Sequence, residues 1–93
     1  MDNQLKTNVK ISISNVQSVM NEAINSHTSG RLDDAERLYK QVLAIDSQVS
    51  DARHLLGVIA LARGDVRKAA KTIQRAIKMR GDVPAYYGNL ALT

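Results

Sequence analysis

Apolar residues recur every three or four positions along most of the chain, which is the spacing that places them on one face of an α-helix. Glycines interrupt this pattern at Gly30 and at Gly64. A glycine directly after a helix takes the left-handed backbone conformation without steric cost, so each is predicted to end a helix and begin a tight turn. The predicted inward residues are Leu55, Leu56, Ile59, Ala60 and Ala62 before Gly64, Val66, Ala69, Ala70, Ile73, Ala76 and Ile77 after it, and Ala35, Leu38, Tyr39, Val42 and Leu43 after Gly30. The pattern predicts two helical hairpins.

Helix starts are marked by residues that suit the free backbone N–H groups found there. Asp65 follows Gly64 and is predicted to cap the second helix of the later hairpin. Asp33 and Glu36 have the spacing of a capping box, which predicts that Asp33 caps the second helix of the earlier hairpin. Pro84 suits the first turn of a further helix, where its missing N–H is not needed. Local chemistry therefore predicts three helix starts.

The two hairpins repeat each other at a fixed offset of 34 residues, which takes Gly30 to Gly64. A period of roughly 20 to 50 residues is characteristic of repeat architectures, in which each unit packs on its neighbours. Small residues such as Ala35 and Ala69 recur where the two helices of a hairpin must approach closely. Further pairs at this offset are Ala23 with Gly57, Tyr39 with Ile73, Leu43 with Ile77, and Leu56 with Leu90. A four-helix bundle would need no such fixed spacing, so a helical repeat is favoured.

With Leu56, Gly57, Gly64 and Ala69 in these places, the repeat resembles the tetratricopeptide repeat. The resemblance implies an all-α fold, a right-handed superhelical stack of antiparallel helical hairpins. The "VKISIS" stretch fits a strand pattern as well as a helical one, so the N-terminus is expected to be a flexible or frayed lead. The expected organisation is a lead over residues 1–12 and a domain over 13–93, with repeats at 16–49 and 50–83 and the first helix of an incomplete third repeat at 84–93.

Composition and residue spacing argue against several classes of function for this protein. The chain has 93 residues, of which 44% are hydrophobic and 24% charged, and it contains no cysteine, so it can form neither a disulfide nor a cysteine-based zinc site. No apolar run approaches the roughly 18 residues of a membrane span, and a cytoplasmic location is expected. His27 and His54 lack the spacing of metal ligands, and no catalytic constellation or phosphate-binding loop is recognisable. We therefore expect a protein that is not an enzyme and that uses no metal and no cofactor.

The resemblance also implies where a partner binds. In tetratricopeptide domains the first helix of each hairpin lines a concave groove that holds a peptide or protein segment. In the repeats attached to O-linked N-acetylglucosamine transferases, an asparagine recurs before the leucine of each first helix and can pair with a peptide backbone. Asn21 and Asn89 occupy that position here, whereas the repeat between them has Leu55 at it. The implied groove residues are Gln17, Met20, Asn21, Ile24, His27, Asp51, His54, Leu55, Val58, Leu61 and Asn89. A protein-protein interaction module is the expected function.

The net charge of +4 lies mainly in the second half of the chain, where residues 47–93 carry eight Lys or Arg and three Asp or Glu. Four of these cations form one stripe along a predicted helix: Arg67, Lys71, Arg75 and Lys78. Such a stripe is suited to nucleic acid, acidic protein or anionic lipid, or it is a solvated outer face. No aromatic residue interleaves it, so nucleic-acid binding is the weaker alternative.

The last ten residues predict the first helix of a third repeat without its partner helix. Because repeat domains generally need at least three units, this helix is expected either to continue into a longer chain or to be covered by a second copy. Sedimentation equilibrium would measure the self-association, which is expected to use Tyr86, Tyr87, Leu90 and Leu92. If the last helix continues into a longer chain, an alternative function follows. The chain would then be the substrate- or partner-recruiting N-terminal part of a larger transferase, for example a bacterial glycosyl- or sulfotransferase.

Overall fold

The computed structural model describes the backbone of residues 2–93 and the side chains of residues 15–93. Within this range the chain forms five α-helices and no strand, which confirms the predicted all-α fold. The chain divides into two compact units, unit 1 over residues 1–46 and unit 2 over residues 47–93. The helices are α1 (Asp2–Thr28) and α2 (Leu32–Ile45) in unit 1, and α3 (Ser50–Ala62), α4 (Val66–Met79) and α5 (Pro84–Leu90) in unit 2.

Unit 1 is a helical hairpin in which α1 packs against α2. Gly30 joins the two helices at φ +80°, in the left-handed region that the sequence predicts for it. The Gly30 N–H donates to the His27 carbonyl at 3.0 Å and the Arg31 N–H to the Ser26 carbonyl at 2.9 Å, which is the paired pattern of a Schellman motif. Among residues 15–46, the buried apolar residues are Ala23, Ala35, Leu38, Tyr39 and Val42. The first predicted hairpin is confirmed.

Unit 2 repeats this hairpin and adds a further helix. Gly64 has φ +82°, and the N–H groups of Gly64 and Asp65 donate to the carbonyls of Leu61 and Ala60 at 3.0 and 2.9 Å. α3 packs against α4, and α5 packs against α4 as well. The core that joins α4 to α5 consists of Ile73, Ala76 and Tyr86, with Ile77, Val83 and Leu90 packed at its edge. Unit 2 is thus a hairpin with the first helix of another hairpin attached to it.

Gly57 marks the place where α3 and α4 approach each other closely. A Cβ atom at this position would lie 2.6 Å from Ile73 Cγ1 and 3.3 Å from the Ala69 carbonyl oxygen. Both distances are shorter than a normal van der Waals contact between such atoms. The prediction that small residues allow the helices of a hairpin to meet is confirmed here.

The helix starts test the capping predictions. Asp65 is the N-cap of α4 and accepts a hydrogen bond from the Lys68 N–H at 3.2 Å, and α5 begins at Pro84, as predicted. The prediction for Asp33 is wrong, because α2 starts at Leu32 and its N-cap is Arg31, which makes no side-chain capping bond. Asp33 instead lies in the first turn of α2, where the helix dipole favours a carboxylate.

One predicted inward residue of α4 is also misplaced. Val66 is 44% exposed, because it is the first residue of the helix and lies ahead of the turns that pack on the rest of unit 2. The inward face begins instead at Ala69 and continues through Ile73 and Ala76, all of which are fully buried.

The N-terminal segment is helical in its backbone, since α1 begins at Asp2 and includes the "VKISIS" stretch. The expectation that residues 1–12 form a flexible or frayed lead stays a prediction, because the side chains of residues 1–14 lie outside the described part of the chain. The boundaries proposed for the three repeats stay predictions too.

Candidate functional site

Tyr86 connects α5 to the first turn of α3 within unit 2. Its hydroxyl is hydrogen-bonded to Ser50 Oγ at 3.1 Å and to the Asp51 carboxylate, and the residue is only 1% exposed. Burial raises the pKa of Tyr86, and the hydrogen bond to Asp51 acts in the same direction. The phenol therefore stays protonated, and its O–H donates a hydrogen bond to the carboxylate. This connection holds α5 in a defined position beside α3.

His54 and Asn89 meet on the same side of unit 2. Asn89 Nδ2 lies 2.8 Å from His54 Nε2. An amide nitrogen can only donate, so Nε2 is the acceptor, and the imidazole is neutral with its proton on Nδ1. The His54 ring is 6% exposed and lies over the Tyr86 ring, with the centroids 4.5 Å apart and an interplanar angle of 32°. Two of the predicted groove residues, one from α3 and one from α5, are brought into direct contact.

The neutral His54 makes the stability of unit 2 depend on pH. Burial lowers the pKa of His54 below the ordinary value of 6.5, an effect that the charge of Asp51 opposes, while Tyr86 and Asn89 present uncharged groups to the ring. Below pH 6.5 the unfolded chain then binds more protons than the folded chain, so we expect the free energy of unfolding to fall as the pH is lowered. One proton changes it by at most about 1.4 kcal/mol per pH unit.

Urea unfolding at a series of pH values measures this effect. A His54→Gln variant keeps an acceptor for the Asn89 amide but cannot titrate, so the fall below pH 6.5 should become shallower. Equal slopes for the wild type and the His54→Gln variant would contradict the assignment.

Apolar side chains continue the predicted groove face along α3. Leu55, Val58 and Leu61 recur every three residues and are half-buried, so each keeps part of its surface in contact with solvent. Asp51 is exposed at the start of the same helix, although its carboxylate is bonded to Tyr86. In unit 2 the predicted groove residues thus form an apolar row with the polar pair of His54 and Asn89 beside it.

The predicted groove residues of unit 1 lie on α1. Gln17, Asn21 and Ile24 are exposed, whereas Met20 and His27 are half-buried. His27 Nδ1 is hydrogen-bonded to the Tyr39 hydroxyl at 3.0 Å, and the two rings meet edge to face with centroids 5.9 Å apart. Burial raises the pKa of Tyr39 to about 12, so this phenol is un-ionised at neutral pH. His27 is therefore held by α2 rather than free on the surface of unit 1.

The residues predicted to mediate self-association divide into two groups. Tyr86 lies in the core of unit 2 and is removed from the surface, and Leu90 is half-buried at the edge of that core. Tyr87 is 48% exposed and Leu92 is 68% exposed. Self-association stays a prediction, and on this structure it would depend on Tyr87 and Leu92 with part of Leu90.

The basic stripe lies entirely on the outer face of α4. All of its members, Arg67, Lys71, Arg75 and Lys78, are exposed, and Lys68 is exposed beside them. An open depression of about 400 Å³ runs along this face and is lined by Asp65, Arg67, Lys68, Lys71, Thr72 and Arg75. The face is charged and accessible throughout.

Two kinds of site are not found in the described residues. Within that part of the chain there is no group of three or more His, Cys, Asp or Glu residues placed to hold a metal ion. None of the helices searched there combines the length and the apolar character that crossing a membrane requires.

Sequence reasoning missed how the polar residues of unit 2 pair. His54 and Asn89 are 35 residues apart in the chain, and so are Asp51 and Tyr86. This separation is one repeat period plus one residue, so each pair joins similar positions on two successive first helices. A search of the sequence for polar residues near one repeat period apart would have included both pairs among its candidates.

Comparison with known proteins agrees with this fold. The family model described as Tetratricopeptide repeat matches residues 27–92. A solved structure of a mutant O-GlcNAc transferase from Thermobaculum terrenum is similar, with a TM-score of 0.84 and 27% identity over 87% of this chain. This chain spans 16% of that transferase chain. No curated protein matches the sequence significantly. Both matches support an all-α helical repeat.

Proposed function

The chain belongs to the tetratricopeptide repeat family, and from this premise we propose that it is a non-catalytic interaction module that binds a peptide or protein segment. Repeats of this family are generally involved in protein interaction. The binding face proposed in unit 2 combines the row of Leu55, Val58 and Leu61 with the pair of His54 and Asn89. The observation that carries the proposal is the hydrogen bond between His54 and Asn89, because it fixes a polar side chain of α5 next to the apolar row of α3.

The chemistry of this face suits an extended peptide. The Asn89 carboxamide has two N–H donors and one carbonyl acceptor, and the bond to His54 uses a single N–H. The remaining N–H and the carbonyl oxygen match the acceptor and the donor of a peptide unit. Because His54 holds the amide in place, little side-chain entropy is lost when a peptide binds. Apolar side chains of the ligand would then cover the half-buried leucines and valine of α3.

The face of α1 is proposed as a second contact surface for the same kind of ligand. It offers Asn21 and Gln17 as exposed amides, with Met20 and Ile24 as apolar neighbours. Asn21 lies two repeat periods before Asn89, so the same backbone pairing is available to it.

A displayed library of random peptides, selected on the immobilised protein, tests the proposal. We expect the enriched peptides to lose about two- to tenfold in affinity for an Asn89→Ala variant, which corresponds to one hydrogen bond. We expect a loss of about tenfold or more for Leu55→Asp, which places a charge in an apolar contact. Calorimetry with the synthetic peptides measures both losses. A circular dichroism spectrum identical to that of the wild type shows that each variant is folded.

Gln41→Ala is the matched control, because Gln41 is exposed on α2, a helix that contributes to neither proposed face. Its affinity for the selected peptides should equal that of the wild type. The proposal is wrong if no peptide is enriched, or if the selected peptides bind all three variants equally well.

A second candidate is a recruiting segment within a larger transferase. The observation in its favour is the similarity to the O-GlcNAc transferase structure, of which this chain spans 16%. In that case the peptide bound by this segment would be the substrate or partner of a catalytic domain elsewhere in the same chain. The reading frame would then continue past Thr93 into that domain, and an in-frame stop codon directly after Thr93 would exclude the idea.

A further inference from the structure

The outer face of α4 carries more positive charges than unit 2 has acidic residues to balance them. The helix contains five cations and no Asp or Glu, as its sequence VRKAAKTIQRAIKM shows. Among the residues with described side chains, none of these five cations takes part in an ion pair. They are Arg67, Lys68, Lys71, Arg75 and Lys78. Asp65, the N-cap residue just before α4, is the carboxylate that lines the depression on this face.

The equivalent helix of unit 1 shows that this excess is not a property of the repeat. At the repeat offset, Asp33 and Asp34 occupy the positions of Arg67 and Lys68. Ion pairs on α2 join Arg37 to Asp34 at 3.9 Å and Lys40 to Glu36 at 3.1 Å. The second hairpin therefore carries cations without ion pairs where the first carries paired charges on the same kind of helix.

The arrangement on α4 is unfavourable for the isolated helix. Arg67 and Lys68 lie in the first turn, where the helix dipole disfavours positive charge, and this turn contains no acidic residue within the helix. Arg67, Lys71 and Arg75 follow each other at intervals of four residues, at which like charges repel. Folding alone does not explain such a stripe, whereas binding to an anionic partner would relieve both effects.

We infer that the outer face of α4 is a second binding surface, which takes an acidic segment of a partner protein. Cations four residues apart on a helix lie about 6 Å apart along its axis. Side chains on one face of an extended peptide recur about every 6.6 Å, so alternate carboxylates of such a peptide match the stripe. Arginine can bind each carboxylate with two parallel hydrogen bonds. The open depression beside Arg67, Lys71 and Arg75 gives the peptide room to lie along the helix.

Other anionic partners fit this face less well. α4 contains no aromatic residue on which the bases of a single-stranded nucleic acid would stack. The apolar residues Ala69, Ile73 and Ala76 of α4 are fully buried in unit 2, which leaves Val66 at the start of the helix as its one exposed large apolar side chain, too little to insert into a bilayer. The surface is separate from the face of α3 and α5 proposed above, and either can exist without the other.

Fluorescence anisotropy with a labelled peptide of alternating glutamate and serine tests the inference at about 50 mM salt, where surface electrostatics are weakly screened. The test variant carries Arg67→Gln, Lys71→Gln and Arg75→Gln. It should lose about tenfold or more in affinity. It should melt at the same temperature as the wild type or above it, because repulsion within α4 is relieved. The control variant carries Arg31→Gln, Arg37→Gln and Lys40→Gln, which removes the same charge from unit 1, and it should bind within about threefold of the wild type.

Three outcomes would overturn the inference. The first is an absence of binding by the wild type at low salt. The second is an equal loss of affinity in both variants, which would show that only net charge matters. The third is tighter binding to single-stranded DNA of matched charge, or to vesicles containing phosphatidylserine, than to the acidic peptide, which would assign the face to a different class of partner.

Discussion

Replacing Tyr86 by alanine is expected to lower the free energy of unfolding by about 3 to 5 kcal/mol, the cost of removing a large aromatic side chain from a core. Tyr86 is 1% exposed and forms the core of unit 2 with Ile73 and Ala76. Its hydroxyl is also hydrogen-bonded to Ser50 and Asp51, and the substitution leaves the buried Ser50 without that partner. α5 is only seven residues long, and a helix of this length is not stable by itself in water. Loss of Tyr86 should therefore release α5.

The neighbouring tyrosine is the matched control for this substitution. Tyr87 is 48% exposed, and its hydroxyl donates to the Gly81 carbonyl at 2.9 Å. Tyr87→Ala should cost about 1 kcal/mol or less, because one partly exposed hydrogen bond is lost. Tyr86→Phe, which keeps the ring, should cost about 1 to 2 kcal/mol. Urea unfolding followed by circular dichroism measures the stabilities, and hydrogen exchange of the α5 amides reports its release. Equal losses for the two alanine variants would show that Tyr86 is not a core residue.

Replacing Gly57 by leucine is expected to destabilise the protein by about 3 kcal/mol, because the added side chain overpacks a closed contact between α3 and α4. The first added atom already lies 2.6 Å from Ile73 Cγ1 and 3.3 Å from the Ala69 backbone oxygen. Ile73 is fully buried and cannot move aside without displacing its own neighbours. The two helices would have to separate, which opens the hairpin of unit 2.

A pair of alanine variants separates this packing effect from helix propensity. Gly88 is helical in α5, and a Cβ added there would meet nothing within 4 Å. Gly88→Ala should therefore stabilise the protein by up to about 1 kcal/mol, the propensity difference between the two residues. In Gly57→Ala the same gain in helix propensity is opposed by the close contact with Ile73, so we expect a net loss of stability. Thermal unfolding measures both changes, and a stabilised Gly57→Ala variant would contradict the close approach.

The capping prediction for Asp33 failed although the chain contained the information to avoid the error. The repeat offset of 34 takes the true cap Asp65 to Arg31, not to Asp33. A capping box is a local pattern of two residues, and an acidic first turn produces the same pattern for a different reason. The period is the stronger signal because it is set by the packing of many residues at once.

The candidate site could be predicted only in part. The resemblance placed His54, Asn89 and the apolar row of Leu55, Val58 and Leu61 on first helices, and the structure shows that the apolar row is partly accessible. It could not show that His54 is buried and bonded to Asn89, since that contact depends on how α5 packs against α3. The groove function itself stays a proposal.

By itself, the sequence determined the repeat, the ends of the helices at Gly30 and Gly64, and the small residue at Gly57 that lets two helices meet. These features follow from backbone conformation and from a period that recurs along the chain, so they can be recognised without coordinates. Only the tertiary structure decided which of the adjacent residues Tyr86 and Tyr87 is buried and which polar groups pair across 35 residues. Those outcomes depend on the packing of side chains from separate helices, and no local pattern specifies it.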